Sequence, residues 1–376
     1  MRTAIKNVRI FNGECIDERD TLIIEDGKIA SGEGYDQCID GQGGTLLPGL
    51  IDSHVHLYEN RRFQEMAIAC GITTMLDMGV RDTSIVDAWR SQPDLPDLLS
   101  SCGVIYAPGS KFALHMQFPE DMVCGGIDDV ERIVDDRIRA GADYIKLIFE
   151  NSTRKDTGIN TDCLFPLEVG RAIVDYSHSK GKKVAAHAPN ISAYELGLDL
   201  GIDVLMHMPY TEPLSPELAK RIADSGTIVV PTLAMGSGLL EFIGRQILAK
   251  IPAGAPIPPM PSFNLAIRNL SIMLEAGVRI IAGTDSNLDD PTTPSDVFYG
   301  TALQDELVWY VQSGMTPAEA LHSATADAAE YWGITDRGIL KEGCRADLLL
   351  VDGRPDENIS DIKKVRAVFK NGERIR

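Results

Sequence analysis

Cysteine is scarce in this chain. Its 376 residues include 7, at positions 15, 38, 70, 102, 124, 163 and 344, and no two form a CxxC pair. An odd, scattered set does not make a disulfide framework and fits a reducing compartment, so a cytoplasmic location is expected. Positive charge is short as well. Against 55 Asp+Glu stand 36 Lys+Arg, a formal net charge of −19. That balance argues against nucleic acid or an anionic membrane as partner, because both need a basic face. No run reaches the ~18 consecutive apolar residues of a spanning helix. The longest, Ser225–Leu240, is broken by Gly226, Pro231, Gly236 and Gly238. The opening MRTAIKNVRI has no apolar core and reads as a strand, so no export signal is expected. Low-complexity segments and short repeats are absent too. What is present is an ordinary folded composition, 44% hydrophobic and 24% charged, with ample core.

Short β-type runs fill the N-terminal part: IKNVRIFNG, TLIIEDGKIA and CIDGQGGTLLPG, with Asn12-Gly13 and Asp26-Gly27 as hairpin turns. The C-terminal part repeats the style in ADLLLVDG and VRAVFKNGERI, around Asn371-Gly372. The two ends are therefore expected to meet in one small sheet domain. Between them, strand-like runs at 51–57, 72–77, 102–107, 143–148, 182–187, 203–208, 227–232 and 279–284 alternate with helical patterns such as VERIVDDRIRAGA. Strands joined by helical crossovers are parallel, and eight of them close into a (β/α)8 barrel. A capping box, Thr316-Pro317-Ala318-Glu319, opens a helix that runs to Gly333. The Pro-rich connection 236–262 is a candidate lid.

Seven histidines occur, and four fall at predicted strand ends. His54 and His56 close the first strand in IDSHVHL, where an i, i+2 spacing points both into the barrel mouth. His187 closes the fifth (KVAAHAP), His207 the sixth (VLMHMP), and Asp285 the eighth (IIAGTD). A barrel places its chemistry at those ends. Four neutral imidazoles and a carboxylate in one cavity suit zinc or a similar divalent ion. Lys146, in ADYIKLIFE near the end of the fourth strand, sits among apolar neighbours where an ammonium is costly. Reaction with CO2 would turn it into an anion able to bridge two metals. The other reading makes it an anchor for a substrate anion or a partner of Glu150.

With these residues in view the chain resembles the amidohydrolase superfamily over nearly its whole length. The resemblance is carried by LLPGLIDSHVHL, GITTMLDMG, IKLI, AAHA, MHM, AGTD and the tail MTPAEALHSATADAAEYWGI…GILKEGCRADLLLVDG. It looks closest to the imidazolonepropionase-like and metal-dependent prolidase-like members. The resemblance implies an α/β fold, a distorted (β/α)8 TIM barrel over 49–337 with a composite β-sandwich from 1–48 plus 338–376. It also implies a binuclear centre of two divalent ions, Zn2+ the expected metal. His54, His56 and Asp285 would bind the more buried ion, His187 and His207 the second, and a carboxylated Lys146 would bridge them. A metal-bridging hydroxide would be the nucleophile, with Asp285 accepting its proton and returning it to the leaving amine. Two motifs depart from prolidase-type relatives: TTMLD has Leu76 where Arg is common, and PGSKFALH leaves His115 without a Gly-Gly pair.

His115 is a candidate for the substrate carbonyl or a carboxylate, and Tyr58 and Tyr210 for the developing oxyanion. Phe112, Phe149, Phe165 and Met208 are either pocket wall or packing. Arg61, Arg62 and Lys111 suit surface solvation, and His178 and His322 lie on helices away from the site. Glu306 is expected to serve packing or charge pairing. The expected activity is hydrolysis of a small amide-type substrate such as a dipeptide, N-acyl amino acid, urea or carbamate. The rivals are a lactonase, a cyclic amidine deaminase or a decarboxylase on the same ligands, a single-metal enzyme, and a non-catalytic scaffold. A homo-oligomer is expected from the resemblance.

Overall fold

Turn chemistry decides the first elements. In the computed structural model Asp26 and Gly27 have φ of +48° and +78°, and Asn371 and Gly372 have +50° and +78°. Both are two-residue hairpin loops whose left-handed residues match the twist of the flanking strands. Asn12-Gly13 behaves differently: the loop spans residues 12–15, and the Asn12 side chain accepts from the N–H groups of Glu14 and Cys15. The structure describes the chain apart from residues 58–60, 91, 150–164, 238–239, 241–247, 250, 253–254, 256–259 and 287–299, and apart from the His115 side chain. The expected lid at 236–262 therefore lies largely outside the described residues, as do Tyr58 and Glu150.

Strands β1 (Arg2–Lys6), β2 (Arg9–Phe11), β3 (Ile16–Asp17), β4 (Thr21–Glu25), β5 (Lys28–Ala30), β6 (Gln37–Asp40) and β7 (Thr45–Pro48) come first. The barrel strands follow: β8 (Leu50–Val55), β9 (Ile72–Asp77), β10 (Asp97–Ser100), β11 (Ile105–Tyr106), β12 (Ile145–Ile148), β13 (Val184–His187), β14 (Val204–Met206) and β15 (Ile228–Val230). The chain closes with β16 (Leu348–Val351), β17 (Val365–Lys370) and β18 (Glu373–Arg374). Two sheets, β5-β4-β1-β6 and β18-β17-β16-β7-β2-β3, enclose an apolar layer that includes Ile5, Ile10, Leu22, Leu348 and Phe369. This sandwich mixes strands from both ends of the chain.

The barrel is parallel and distorted, with strand orders β10-β9-β8 and β11-β12-β13-β14-β15. β9, β12, β14 and β15 are buried along their whole length, as strands covered on both faces must be. The third strand departs from the expected 102–107. It splits into β10, which pairs with β9, and β11, which pairs with β12. The chain kinks between them, at Cys102 (φ +48°) and Gly103 (φ +106°). A side chain at Gly103 would meet Arg137 Nη1 at 2.5 Å and the Met122 methyl at 2.6 Å. The eighth run, 279–284, forms no regular strand. It closes the barrel through single bridges, Ile280 to Val229 and Ser286 to Val55.

The helix after the capping box is also broken. Thr316 and Glu319 make both capping contacts, and Gly333 ends the run in the left-handed conformation. Between them the helix divides into Pro317–Ser323 and Ala326–Trp332. The break frees the Ser323 and Ala324 carbonyls to accept from Ala282 N–H and Ile51 N–H, so helical bonds give way to barrel closure. The six described cysteines are free. Among the described residues no helix is long and apolar enough to cross a membrane.

One ion cluster ties β10 to the C-terminal sheet. Asp97 pairs with Arg337, Arg345 and Lys370, the last at 2.7 Å from β17. Burial alone would raise its carboxyl, yet the Arg337 guanidinium with Lys370 and Arg345 brings it from 3.8 down to about 2. A shift of that size corresponds to about 2 kcal/mol of stability. A carboxyl depressed on folding stabilises above its unfolded pKa and loses that effect as pH falls through the folded one. Asp97→Asn should therefore lower the unfolding free energy by about 2 kcal/mol at neutral pH. In urea titrations the gap to wild type should narrow as pH falls from 4 toward 2.

Candidate metal centre

The closure between the first and eighth strands brings His54, His56 and Asp285 together. His54 O accepts from Thr284 N at 3.2 Å and from Asp285 N at 2.8 Å. The backbones approach so closely that a side chain at Gly283 would meet His54 N at 2.8 Å. The Asp52 carboxylate locks this seam, accepting from His54 N, Thr284 N and Thr284 Oγ1 at 3.2, 3.1 and 2.8 Å. Burial pushes Asp52 up to about 7. His207 follows β14 directly, and His187 ends β13. His207 (φ +76°) and Asp285 (φ +59°) are non-glycine residues in the left-handed region, a conformation that costs free energy and clusters at functional sites.

All four histidines and Asp285 share one space. One ligand atom each of His54, His207 and Asp285 lie within 4.8 Å of one another. His56 Nε2 is 3.2 Å from Asp285 Oδ1 and His54 Nε2 is 3.4 Å from it. The His187 ring stands 4.3 Å, centroid to centroid, from His207. Among the described residues, both ring nitrogens of His54, Nε2 of His207 and Nζ of Lys146 are buried without a hydrogen-bond partner. Four orphaned nitrogens in one cavity are a costly arrangement for a protein alone.

Protonation sharpens the point. Burial holds His54 down at about 3, and burial with the neighbouring His187 holds His207 well below the usual range. Burial opposes ionisation of Asp285, but the facing His54, His56 and His207 hold its carboxyl well below the usual value. His56 Nδ1 lies 3.2 Å from the Gly79 carbonyl, which can only accept, so Nδ1 carries a proton. A neutral His56 would then turn a lone pair on the Asp285 carboxylate. Despite the burial penalty its pKa is raised by that carboxylate, so a proton lies where a bound cation would serve equally. The donor set fits a divalent metal.

Lys146, on β12, is 2% exposed, and burial pushes it down to about 7. Sequence reasoning did not single out the residues that hold the ligands. Asp77 accepts from Leu57 N at 2.9 Å, Ser100 Oγ at 2.6 Å and Gly79 N at 3.3 Å, gripping the chain beside His56 and the residue its Nδ1 binds. Its only signal is an acid ending an apolar strand. Thr232 (φ +52°) places Oγ1 2.8 Å from His207 Nδ1, and nothing in the sequence marks it. Glu306 was expected to pack or pair with charge. Instead its buried carboxyl accepts from two backbone N–H groups, Leu233 and Ala234, and burial raises it to about 8.

The remaining candidates divide. Tyr210 is half-buried after β14, with its carbonyl accepting from Ser262 N. His115 ends the short helix Lys111–His115. Phe112 stacks on His187 at 4.5 Å, whereas Phe149, Phe165 and Met208 belong to the apolar core. Leu76 is core as well. Arg61 pairs with Glu65 and Asp94 on the surface. His178 binds Asp203, and His322 binds the Glu14 carbonyl, both away from the centre.

The chain is similar to known proteins along most of its length. The model of the amidohydrolase family matches residues 45–375. An uncharacterized protein of Mycobacterium tuberculosis is 29% identical over 354 residues, 87% of this chain and 84% of its own. Ochratoxinase of Aspergillus niger is 29% identical over 263 residues, covering 67% of this chain and half of the relative. The solved structure of a Xaa-Pro dipeptidase has a TM-score of 0.80 at 23% identity, over 100% of this chain and 99% of that one; this likeness is one of fold.

Asp77→Asn tests the support of the centre. It replaces an acceptor by an NH2 group that must face an N–H or a hydroxyl, so it should cost about 1–3 kcal/mol in denaturant unfolding. A variant as stable as wild type would show that Asp77 does not hold the His56 segment.

Proposed function

Because the chain belongs to the amidohydrolase family, we propose that it is a metal-dependent hydrolase of a carbon–nitrogen amide-type bond in a small molecule. The substrate is a dipeptide, an N-acyl amino acid, a urea or a carbamate. Members of this family are hydrolytic enzymes that generally use a divalent metal centre. The observation that carries the reading is the convergence of the histidines with Asp285, with both ring nitrogens of His54 and Nε2 of His207 buried without a hydrogen-bond partner among the described residues.

In this reading His54, His56 and Asp285 would hold one ion and His187 and His207 a second, with a carboxylated Lys146 as a further ligand. Zinc suits this mixed nitrogen and oxygen set. Such ions supply a hydroxide nucleophile near neutral pH and polarise the scissile carbonyl. A Lys146 pKa of about 7 leaves a large share of neutral amine, the form whose lone pair attacks CO2. An N–C bond forms and one ammonium-type proton leaves to solvent. Asp285, held ionised and anchored through His54 O, takes the proton of the attacking water and returns it to the departing nitrogen. His115 is assigned to the substrate carbonyl or a carboxylate, and Tyr210 to the developing oxyanion. Residues 1–48 with 338–376 form the sandwich domain and 49–337 the barrel domain, and the enzyme works as a cytoplasmic homo-oligomer.

The test is metal content on protein purified without chelator, by inductively coupled plasma mass spectrometry. About two divalent ions per chain are expected. Lys146→Ala should then lower both ion content and hydrolysis across a panel led by dipeptides. About one ion per chain, unchanged in Lys146→Ala, would make Lys146 a substrate anchor instead. No ion after reconstitution with Zn2+ would overturn the reading.

A further inference from the structure

Glu306 is fully buried on the helix Ala302–Ser313, where a carboxyl is expensive unless something specific answers it. Two backbone groups do. Oε1 accepts from Leu233 N at 2.9 Å and Oε2 from Ala234 N at 2.5 Å. These N–H groups open a helical turn that starts at residue 233, where no intrahelical carbonyl can reach them. A carboxyl group spans two successive N–H groups with one oxygen each, and these two bonds work against the burial that raises its pKa. The residue just before the turn is Thr232, buried and held at φ +52°. Its Oγ1 lies 2.8 Å from His207 Nδ1, while His207 Nε2 is buried with no hydrogen-bond partner among the described residues.

We propose that Glu306 is a positioning residue for the metal centre: its grip on residues 233 and 234 fixes the strained Thr232, whose hydroxyl holds the His207 ring with its proton on Nδ1 and its Nε2 lone pair free for a ligand. The proposal rests on the metalloenzyme reading only in taking that ligand to be a divalent cation. Such an outer partner of a ligating histidine sets both tautomer and ring orientation. A purely structural Glu306 would tie its helix to the barrel and leave His207 unaffected.

The full chain is stripped of metal and titrated with Zn2+ by calorimetry, with thermal unfolding measured alongside. Long-range 1H–15N spectra of the apo protein read which nitrogen of His207 carries the proton. Glu306→Gln, which offers one oxygen and an NH2 group that must face an N–H, and Thr232→Val should each weaken Zn2+ binding roughly tenfold or more. Each should also turn His207 from a single Nδ1–H tautomer into a mixture. The double variant should lose no more than the worse single one, because both act through one line of contacts. Thr232→Ser should restore both signals. If Glu306→Gln does not fold, Glu306→Asp, which keeps the charge and shortens the reach, takes its place. A Glu306 variant that melts earlier but keeps the wild-type Zn2+ affinity and His207 tautomer overturns the proposal, as do losses that multiply. If wild type binds no Zn2+, the metalloenzyme reading fails, and the tautomer comparison still decides the role of Glu306.

Discussion

The seam between the first and eighth barrel strands is the constraint on which the site depends. No regular strand forms on the eighth side among the described residues; a single bridge from Ser286 to Val55 and scattered backbone bonds such as Ser53 N to Ala282 O and His56 N to Ser286 O join the two. The Asp52 carboxylate substitutes for the missing ladder by collecting His54 N, Thr284 N and Thr284 Oγ1. His54 and Asp285, 231 positions apart in the chain, are thereby set against one another by the backbone itself. A bond from Asp285 N to His54 O fixes the spacing, so neither side chain has to find the other.

Buried carboxylates do similar work elsewhere in the barrel. Asp77 secures the segment around His56, and Glu306 secures the turn after β15. Each accepts backbone N–H groups that irregular strand ends leave without a ladder partner. Groups of that kind must be satisfied when buried. The outcome is a mouth in which the conformations of His207, Thr232 and Asp285, all at positive φ, are imposed by surrounding contacts. A cavity that gathers imidazoles, one held carboxylate and a buried lysine offers the donor set of a divalent cation site. That gathering, more than the presence of any one histidine, makes the arrangement a site.

Segments that follow the barrel strands brace it. The Asp97 cluster joins β10 to β17, and the broken helix around Ser323 and Ala324 supplies carbonyls to Ala282 and Ile51. The second contact bears on the strand that holds His54 and on the run that leads to Asp285.

Much of this was legible in the sequence because it is local. Period and turn chemistry marked the parallel strands, the Asp26-Gly27 and Asn371-Gly372 hairpins and the capping box at Thr316. Histidines placed at strand ends announced His54, His56, His187 and His207, since a barrel sends its strand ends to one mouth. The broken third strand, the divided helix and the irregular eighth run were not legible, because in each case local preference yields to a hydrogen bond with a distant segment. Asp52, Asp77 and Thr232 escaped for the same reason, and Glu306 was named without its backbone partners. A buried acid reads as a surface charge until folding shows which N–H groups it meets. The sequence by itself determined which histidines and which aspartate stand at the strand ends. Only the tertiary structure decided what holds them, because those partners lie far away in the chain and are chosen by closure of the barrel.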